Sequence, residues 1–239
     1  GALKLMRGLD EFREHLGGYF LMPLFEHADR ERFEIVGYSG LPPAAYDSRT
    51  IWFRERCDLW RPIEGLGDEA LAEHIRADGI DILVDLAGHS GLNRLPALAG
   101  HPAPVQITWL GYPNTTGLPA MDYRLVDAVS DPEGVADAQA TESLVRLPGC
   151  FLGLRPPDQA PDVTPLPSLV GGTFTFGSFN APAKTTPEVL RLWARILAAA
   201  PDSRLLLKDR AFDRPAAAAA MRQRCADAGI ASERVGLIG

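Results

Sequence analysis

The fold is decided by the stretch Ile80-Asp81-Ile82-Leu83-Val84-Asp85-Leu86 and by the loop that follows it, Ala87-Gly88-His89-Ser90-Gly91. The first stretch is an apolar run of the length expected for a buried strand. Before it lies a predicted helix, Glu69 to Ala77, with Asp68 as its cap and Asp78-Gly79 at its end. A helix, a turn and a buried strand in this order are typical of a parallel α/β sheet.

The same alternation of strand and helix continues on both sides of this unit. It is interrupted between Arg155 and Pro167, where a Pro-rich composition predicts a linker. The sequence therefore predicts an α/β fold with a mainly parallel sheet in residues 1–154, a linker over 155–171, and the opening of a second α/β unit over 172–239. The further predicted strands are 34–39, 105–110, 123–126, 173–179, 204–207 and 235–239, and the further predicted helices are 187–200 and 215–228.

The overall composition narrows the class of protein. With 239 residues, 46% of them hydrophobic, the chain is long enough to bury a substantial core. The net charge of -7 argues against a broad phosphate-binding surface, because nucleic-acid binding depends on clustered Lys and Arg. We therefore expect no nucleic-acid partner.

The cysteines and the hydropathy exclude further classes. Cys57, Cys150 and Cys225 are far apart and lack metal-ligand spacing, which predicts neither disulfides nor a metal site. There is no apolar run of about 18 to 20 residues and no signal segment. We expect a cytoplasmic protein with no membrane partner. We also expect both ends to continue, because the chain starts without Met and ends in a strand-like run.

Two loops of the first unit follow predicted parallel strands, and the carboxyl ends of such strands are where open α/β sheets bind ligands. His89 lies in the first loop, either as a ligand-binding side chain or as a residue that bonds a neighbouring backbone group. The second loop, Leu110 to Gly117, contains Gly111, Pro113 and Thr115. It either approaches a ligand closely or forms a plain turn.

A third loop, Phe179 to Glu188, leads into a predicted helix that starts at Pro187 with Thr186 as its cap. A helix start presents free N–H groups and the positive end of the helix dipole, and Lys184 adds a cation, so this loop suits a phosphate. The alternative is a solvated Lys184 without a ligand. Neither GxxxxGK[ST] nor GxGxxG after a strand occurs, so the P-loop and ordinary dinucleotide-binding classes lack their motifs.

A histidine near the start of the chain is a candidate for proton transfer. His15 precedes the pair Gly17-Gly18 at a predicted strand-to-helix junction. Because imidazole titrates near neutrality, His15 can take a proton from a hydroxyl group. The alternative is an exposed histidine without a function.

Several stretches of the chain closely resemble the bacterial-type catalytic region of the O-linked N-acetylglucosamine transferase (SPINDLY-like) family. They are Asp81 to His89, Pro102 to Gly117 and Met121 to Tyr123, and the loop from Phe179 to Lys184 is similar as well. The resemblance spans nearly the whole chain. It implies a GT-B fold, with a complete N-terminal Rossmann-like lobe and the first part of a second Rossmann-like lobe.

The resemblance also implies roles for individual residues. His15 matches the histidine beside the sugar, and Glu11 stands where the family has an Asp ahead of that histidine. Lys184 matches the lysine that contacts the diphosphate. The implied substrate-binding residues are His89, Leu110, Gly111, Pro113, Thr115 and Asn180.

By the same resemblance, the chain is implied to be part of an enzyme that transfers a sugar, N-acetylglucosamine, from a UDP-sugar to Ser or Thr hydroxyls of proteins. The implied reaction proceeds with inversion and needs neither a metal ion nor a cofactor. The implied partners are the UDP-sugar donor and a protein acceptor, with TPR repeats upstream. The alternatives are a truncated or degenerate relative that only binds a nucleotide or a protein, and a related fucosyl or glucosyl transferase.

Overall fold

The computed structural model describes residues 3–6, 12–157 and 159–239. The chain divides into two compact units, Gly1–Ala160 and Pro161–Gly239. The strands of the first unit are β1 (Leu3–Met6), β2 (Val36–Ser39), β3 (Leu59–Pro62), β4 (Ile82–Asp85), β5 (Val105–Thr108), β6 (Tyr123–Val126) and β7 (Ser143–Arg146). Its helices are α1 (Leu16–His27), α2 (Ser48–Arg54), α3 (Asp68–Ala77) and α4 (Leu95–Leu98).

The seven strands of the first unit form one sheet in the order β3-β2-β1-β4-β5-β6-β7, and every neighbouring pair is parallel. The strand order reverses between β1 and β4, because the chain builds outward on one side of β1 and then on the other. In open α/β sheets, ligands bind at the carboxyl ends of the strands next to such a reversal. This topology therefore directs attention to the loops after β1, β4 and β5.

Helices cover both faces of this sheet, as the continuous apolar run in β4 requires. Successive residues of a strand point to opposite faces. Leu83 belongs to the buried cluster that contains Leu71 of α3, whereas Val84 belongs to the cluster that contains Leu21 of α1 and Phe53 of α2. The prediction of a parallel sheet with helices on both faces is confirmed.

Phe12 anchors the segment that leads from β1 to α1. Its side chain is completely buried, and its ring centroid lies 5.1 Å from that of Phe53, 5.1 Å from that of Trp60 and 6.3 Å from that of Phe25. Aromatic contacts of this kind contribute beyond the area that they bury. The aromatic cluster thus holds the chain a few residues before His15.

The second unit repeats the same architecture on a smaller scale. It consists of α5 (Pro167–Gly171), β8 (Phe174–Ser178), α6 (Pro187–Ala199), β9 (Ser203–Lys208), α7 (Pro215–Asp227) and β10 (Val235–Ile238). The strands form a parallel sheet in the order β10-β9-β8. Leu205 and Leu207 of β9 are buried with Leu190 of α6 and Met221 of α7. Alternate residues of β9 therefore point into the core that this unit forms with its helices.

The structure confirms most of the secondary-structure elements predicted from the sequence, corrects one helix cap and adds elements that were not predicted. The strands and long helices predicted above are confirmed to within a residue or two at each end. The prediction that Asp68 caps α3 is wrong, because the helix begins at Asp68 and its cap is Gly67. The Asp68 carboxylate instead accepts a hydrogen bond of 2.8 Å from Arg94 Nε. The sequence did not indicate β3, β7 or α2.

The boundary between the two units falls within residues 155–171, where α5 also lies, and the proposed domain bounds stay a prediction. Within the part of the chain that the structure describes, no helix has the length and apolar character needed to cross a membrane.

We expect Phe12→Ala to lower the free energy of unfolding of the first unit by about 3–5 kcal/mol, because it leaves a cavity in the aromatic cluster. The measurement is urea unfolding followed by tryptophan fluorescence in a Trp193→Phe background, where the remaining tryptophans lie in the first unit. Val129→Ala is the control, since Val129 is 89% exposed. Equal unfolding midpoints for the two variants would contradict this account of the core.

Candidate functional site

Three of the predicted site loops follow strands that are neighbours in the first sheet. β4 lies between β1 and β5 and is parallel to both. His15 follows β1, His89 follows β4 and Gly111 follows β5. The expectation that the His89 and Gly111 loops lie at one edge of the sheet is confirmed. The site is therefore built from strand ends that the sheet itself brings together.

His89 contacts the loop after β5 directly. Its Nε2 donates a hydrogen bond of 2.7 Å to the Thr116 carbonyl oxygen, and its ring centroid lies 5.3 Å from that of Tyr112 in an edge-to-face arrangement. The histidine thus does bond a backbone group, but that group belongs to the neighbouring site loop rather than to its own turn. The side chain nevertheless remains exposed.

Gly111 brings the two loops into close contact. A Cβ atom built on Gly111 would lie 1.9 Å from the Leu86 carbonyl oxygen, a distance that no side chain could occupy. The preceding residue, Leu110, has a φ of +81°, which is an unusual conformation for a residue with a branched side chain. Its side chain packs against the buried cluster of α1 and α2. Strain of this kind persists only where surrounding contacts hold the backbone in place.

Glu142 holds the second loop by hydrogen bonds, and no pattern in the sequence pointed to it. Its side chain is buried and accepts hydrogen bonds of 2.7 Å from the Thr116 N–H and of 2.7 Å from the Thr115 hydroxyl. The Thr116 hydroxyl donates to it as well. Burial alone would raise the pKa of Glu142, but these hydrogen bonds outweigh burial and lower it. Thr115 therefore supports the loop, while Pro113 is exposed.

Asp85 holds the loop after β4 by hydrogen bonds, as Glu142 holds the loop after β5. It ends β4, is buried, and accepts hydrogen bonds of 3.1 Å from the Ala87 N–H and 2.8 Å from the Gly88 N–H. The Thr108 hydroxyl of β5 donates to it over 3.1 Å. Burial raises the pKa of Asp85 despite these bonds. A charged residue at the end of an apolar strand was the sequence signal that could have identified it.

His15 is the N-cap residue of α1. Its Nδ1 accepts a hydrogen bond of 3.3 Å from the Gly17 N–H, and its side chain is exposed. The chain before it is tied to α2, because the Glu14 N–H donates to Asp47 over 2.7 Å. The same carboxylate caps α2 by accepting from the Thr50 N–H over 2.8 Å. Glu11, the other predicted catalytic residue of this segment, lies outside the described residues.

A cavity of about 530 Å³ lies beside these loops, at the carboxyl ends of β2 and β3. The Arg94 side chain borders it and is fixed by Asp68 and by the Leu66 carbonyl oxygen, 2.7 Å from its guanidinium. The cavity shares the chain segment after β4 with the His89 loop. Its lining includes Gly40, Glu64, Gly65, Gly67 and Asn93.

In the second unit, Lys184 lies in the loop between β8 and α6. The prediction that Thr186 caps α6 is confirmed, since its hydroxyl accepts from the Val189 N–H over 3.4 Å. Arg224 of α7 holds this loop by donating to the Thr185 and Pro182 carbonyl oxygens. The Lys184 side chain is exposed, and the structure gives it no hydrogen bond to any described residue. Asn180 is also exposed.

A second cavity opens at the carboxyl ends of the strands of the second sheet. Its volume is about 670 Å³, and the exposed ring of Phe179 borders it. Sequence reasoning did not point to its other lining residues, Lys208, Asp209, Arg210 and Asp213. Across residues 3–6, 12–157 and 159–239, His, Cys, Asp and Glu side chains form no group of three that could hold a metal ion.

The parallel strand order and the closely packed loops at one sheet edge define an open α/β protein whose candidate site residues lie at the carboxyl ends of strands. The model of glycosyl transferase family 41 matches residues 6–154. The chain belongs to this family.

The chain is also similar in sequence to named proteins. The chain is 46% identical over 206 residues to the probable UDP-N-acetylglucosamine-peptide N-acetylglucosaminyltransferase SPINDLY of Arabidopsis thaliana, a match that covers 84% of this chain and 22% of that protein. It is 45% identical over 145 residues to the UDP-N-acetylglucosamine-peptide N-acetylglucosaminyltransferase of Caenorhabditis elegans, covering 59% of this chain and 12% of that protein. The chain thus spans about 22% of the length of the SPINDLY relative.

A solved structure agrees with these matches. A mutant of the O-GlcNAc transferase of Thermobaculum terrenum superposes with a TM-score of 0.90 at 42% identity, covering 99% of this chain and 44% of that one. The predicted fold class is therefore confirmed as an α/β fold of the GT-B type, with one Rossmann-like lobe and the first part of a second. The predicted family is confirmed as well.

We expect Gly111→Ala to lower the free energy of unfolding by about 1–3 kcal/mol, because the new methyl group must displace the backbone at Leu86. Chemical denaturation of the purified chain measures the effect. Gly91→Ala, in the adjacent loop, is the matched control, because a Cβ there meets no atom within 4 Å. If both alanine variants unfold at the same denaturant concentration, the close approach of the two loops is not a constraint.

We expect the stabilisation that Asp85 provides to decrease as the pH rises. Because its pKa is raised in the folded protein, this group contributes fully below the unfolded pKa of about 3.9, and the contribution is lost as the pH rises through the folded pKa. Asn does not titrate. The free energy of unfolding of wild type minus that of Asp85→Asn should therefore fall from about pH 4 toward neutrality. Urea unfolding across this range tests it, and a difference that grows with pH would contradict it.

Proposed function

We propose that this chain is part of an enzyme that transfers N-acetylglucosamine from UDP-N-acetylglucosamine to Ser or Thr hydroxyls of proteins. The observation that carries the proposal is that the carboxyl ends of the neighbouring parallel strands β1, β4 and β5 lie at one sheet edge in a member of glycosyl transferase family 41. Relatives named as UDP-N-acetylglucosamine-peptide N-acetylglucosaminyltransferases support the donor and the acceptor. Protein glycosylation is the reaction class that this combination favours.

The second unit supplies the groups that suit the diphosphate of the donor. Lys184 is an exposed cation three residues before the first residue of α6, whose N-terminal end carries the positive pole of the helix dipole. Arg224 holds the intervening loop, so the ammonium group is presented from a fixed backbone. Positive groups placed in this way stabilise the negative charge that develops on the diphosphate as the bond to the sugar breaks.

In the proposed reaction, the acceptor hydroxyl attacks the anomeric carbon directly and displaces the diphosphate with inversion. The cation of Lys184 and the N-terminus of α6 take the place of a metal ion in balancing the charge of the leaving group. No cofactor takes part in this displacement, and the UDP-sugar is a substrate.

The wider setting of the enzyme is part of the same proposal. We propose that TPR repeats precede this segment in the whole protein and that the protein acts in the cytoplasm. The chain corresponds to only about 22% of the SPINDLY relative, so activity belongs to the whole protein. A module that only binds a nucleotide or a protein, or an enzyme that transfers fucose or glucose, would give a different result in the following assay.

We expect Lys184→Ala in the whole protein to weaken UDP binding and to lower turnover with UDP-N-acetylglucosamine. Loss of a charge-assisted contact of roughly 1.5–3 kcal/mol corresponds to about a ten- to hundredfold change. Calorimetry with UDP and a transfer assay with an acceptor peptide measure the two effects. Arg195→Ala is the control, since Arg195 is an exposed cation further along α6.

The possible results separate the candidate functions. Wild-type protein that binds UDP but transfers no sugar would favour the binding module, and transfer from a GDP-fucose or UDP-glucose donor alone would favour the related transferases. If a folded Lys184→Ala variant kept the wild-type kinetics, Lys184 would not bind the diphosphate and would be only a solvated surface cation.

A further inference from the structure

The two histidines at the sheet edge use opposite ring nitrogens in their contacts. A carbonyl oxygen can only accept, so the 2.7 Å contact to Thr116 requires a proton on Nε2 of His89. In the neutral ring, Nδ1 of His89 then carries a lone pair. At His15 the Gly17 N–H donates to Nδ1, so the proton of the neutral ring lies on Nε2. His15 thus presents an N–H group, whereas His89 presents an acceptor.

The free nitrogen of His89 is accessible. The side chain is exposed, and no residue in the described part of the chain forms a hydrogen bond with its Nδ1. Tyr112 contacts the ring by its edge at 5.3 Å and restricts its rotation. A neutral imidazole nitrogen that is restricted in orientation and exposed at the surface is suited to act as a general base.

A buried carboxylate, that of Glu142 just before β7, supports this arrangement by holding the second loop. The Thr116 carbonyl oxygen fixes the tautomer of His89, and Glu142 in turn binds both the N–H and the hydroxyl of Thr116. Glu142 itself is buried, with only 4% of its surface exposed. Glu142 and Thr116 are therefore positioning residues that act through His89.

We propose that His89 is the general base of the transfer reaction and that Glu142 and Thr116 hold it in the tautomer with a free Nδ1. This inference rests on the proposed function. Nδ1 takes the proton of the acceptor hydroxyl as the hydroxyl oxygen forms its bond to the anomeric carbon. The bond from that carbon to the diphosphate breaks, and its electron pair leaves with the phosphate oxygen. The exposed imidazolium then returns the proton to water. His15 keeps its proton throughout and donates a hydrogen bond from its Nε2–H group to a substrate oxygen.

The first test is the tautomer of His89 in the chain itself. Long-range proton–nitrogen spectra of the imidazoles, recorded where the rings are neutral, should show His89 as a single Nε2–H form. His89→Gln assigns the signal, and His74, exposed on α3, serves as the reference for a tautomer mixture. A His89 ring protonated on Nδ1, or averaged like His74, would overturn the proposal.

A pair of variants at Glu142 separates positioning from simple structural support. In Glu142→Gln, the amide oxygen can accept from both groups of Thr116 and the amide nitrogen can donate to Thr115, so the tautomer of His89 should be retained. In Glu142→Ala, the loop loses these partners, and His89 should change to a mixture of tautomers. Identical His89 spectra in both variants would overturn the role of Glu142.

The second test is kinetic and uses the whole protein. In His89→Gln, the amide N–H replaces Nε2–H on the Thr116 carbonyl oxygen, but no group replaces Nδ1. We expect kcat to fall about a hundred- to ten-thousandfold, with little change in the KM for the donor. The control is His74→Gln, which should keep the wild-type kcat. Glu142→Gln should likewise keep most activity, whereas Glu142→Ala should lower kcat more than it raises KM.

The outcomes distinguish this inference from the proposed function. An active wild-type enzyme with an equally active His89→Gln variant would overturn the base assignment alone. A wild-type enzyme that transfers no sugar would overturn the proposed function and the base assignment with it. A tautomer fixed as Nε2–H together with a large loss of kcat in His89→Gln is the expected result.

Discussion

The close approach of the loops after β4 and β5 is the constraint on which the rest of the site depends. The backbone of Gly111 lies against the Leu86 carbonyl oxygen so tightly that only hydrogen fits in place of a side chain. The residue before Gly111, Leu110, has a positive φ, and the residue after it, Tyr112, lies beside His89. The two loops therefore form one closely packed surface, joined by this backbone contact and by the hydrogen bond from His89 to Thr116.

Carboxylates are the common means by which loops of the first unit are held. Asp85 accepts from the N–H groups of its own loop, Asp47 joins the His15 segment to α2, and Glu142 binds the loop after β5. Asp127 does the same for the turn after β6, and hydrogen bonds from Ser130 and Phe151 lower its pKa. Loop N–H groups have no ladder partner and require such acceptors. Part of the net negative charge therefore serves the architecture of the site.

The two units contribute different chemistry. The first unit presents imidazole nitrogens and a closely packed backbone, which suit a hydroxyl acceptor and a sugar. The second unit presents Lys184 beside the start of α6, which suits phosphate. In both units the groups lie at the carboxyl ends of parallel strands, because that is where helix starts and loops converge in such a sheet. The same fold principle therefore accounts for both halves of the proposed reaction.

The sequence by itself determined most of the strands, the helices α3, α6 and α7, and the loops after β4, β5 and β8. These depend on apolar periodicity and on local signals such as the Thr186-Pro187 helix start. The resemblance of motifs identified the family.

Only the tertiary structure decided which groups meet. Glu142 lies 26 residues from Thr116, and His89 lies 27 residues from it, so their contacts depend on the register of β4 to β7. Asp68 illustrates the same limit, because its local pattern favoured a cap while distant Arg94 binds its carboxylate. Local patterns carry no information about partners that are brought together by sheet pairing, and it is those partners that fix the free nitrogen of His89.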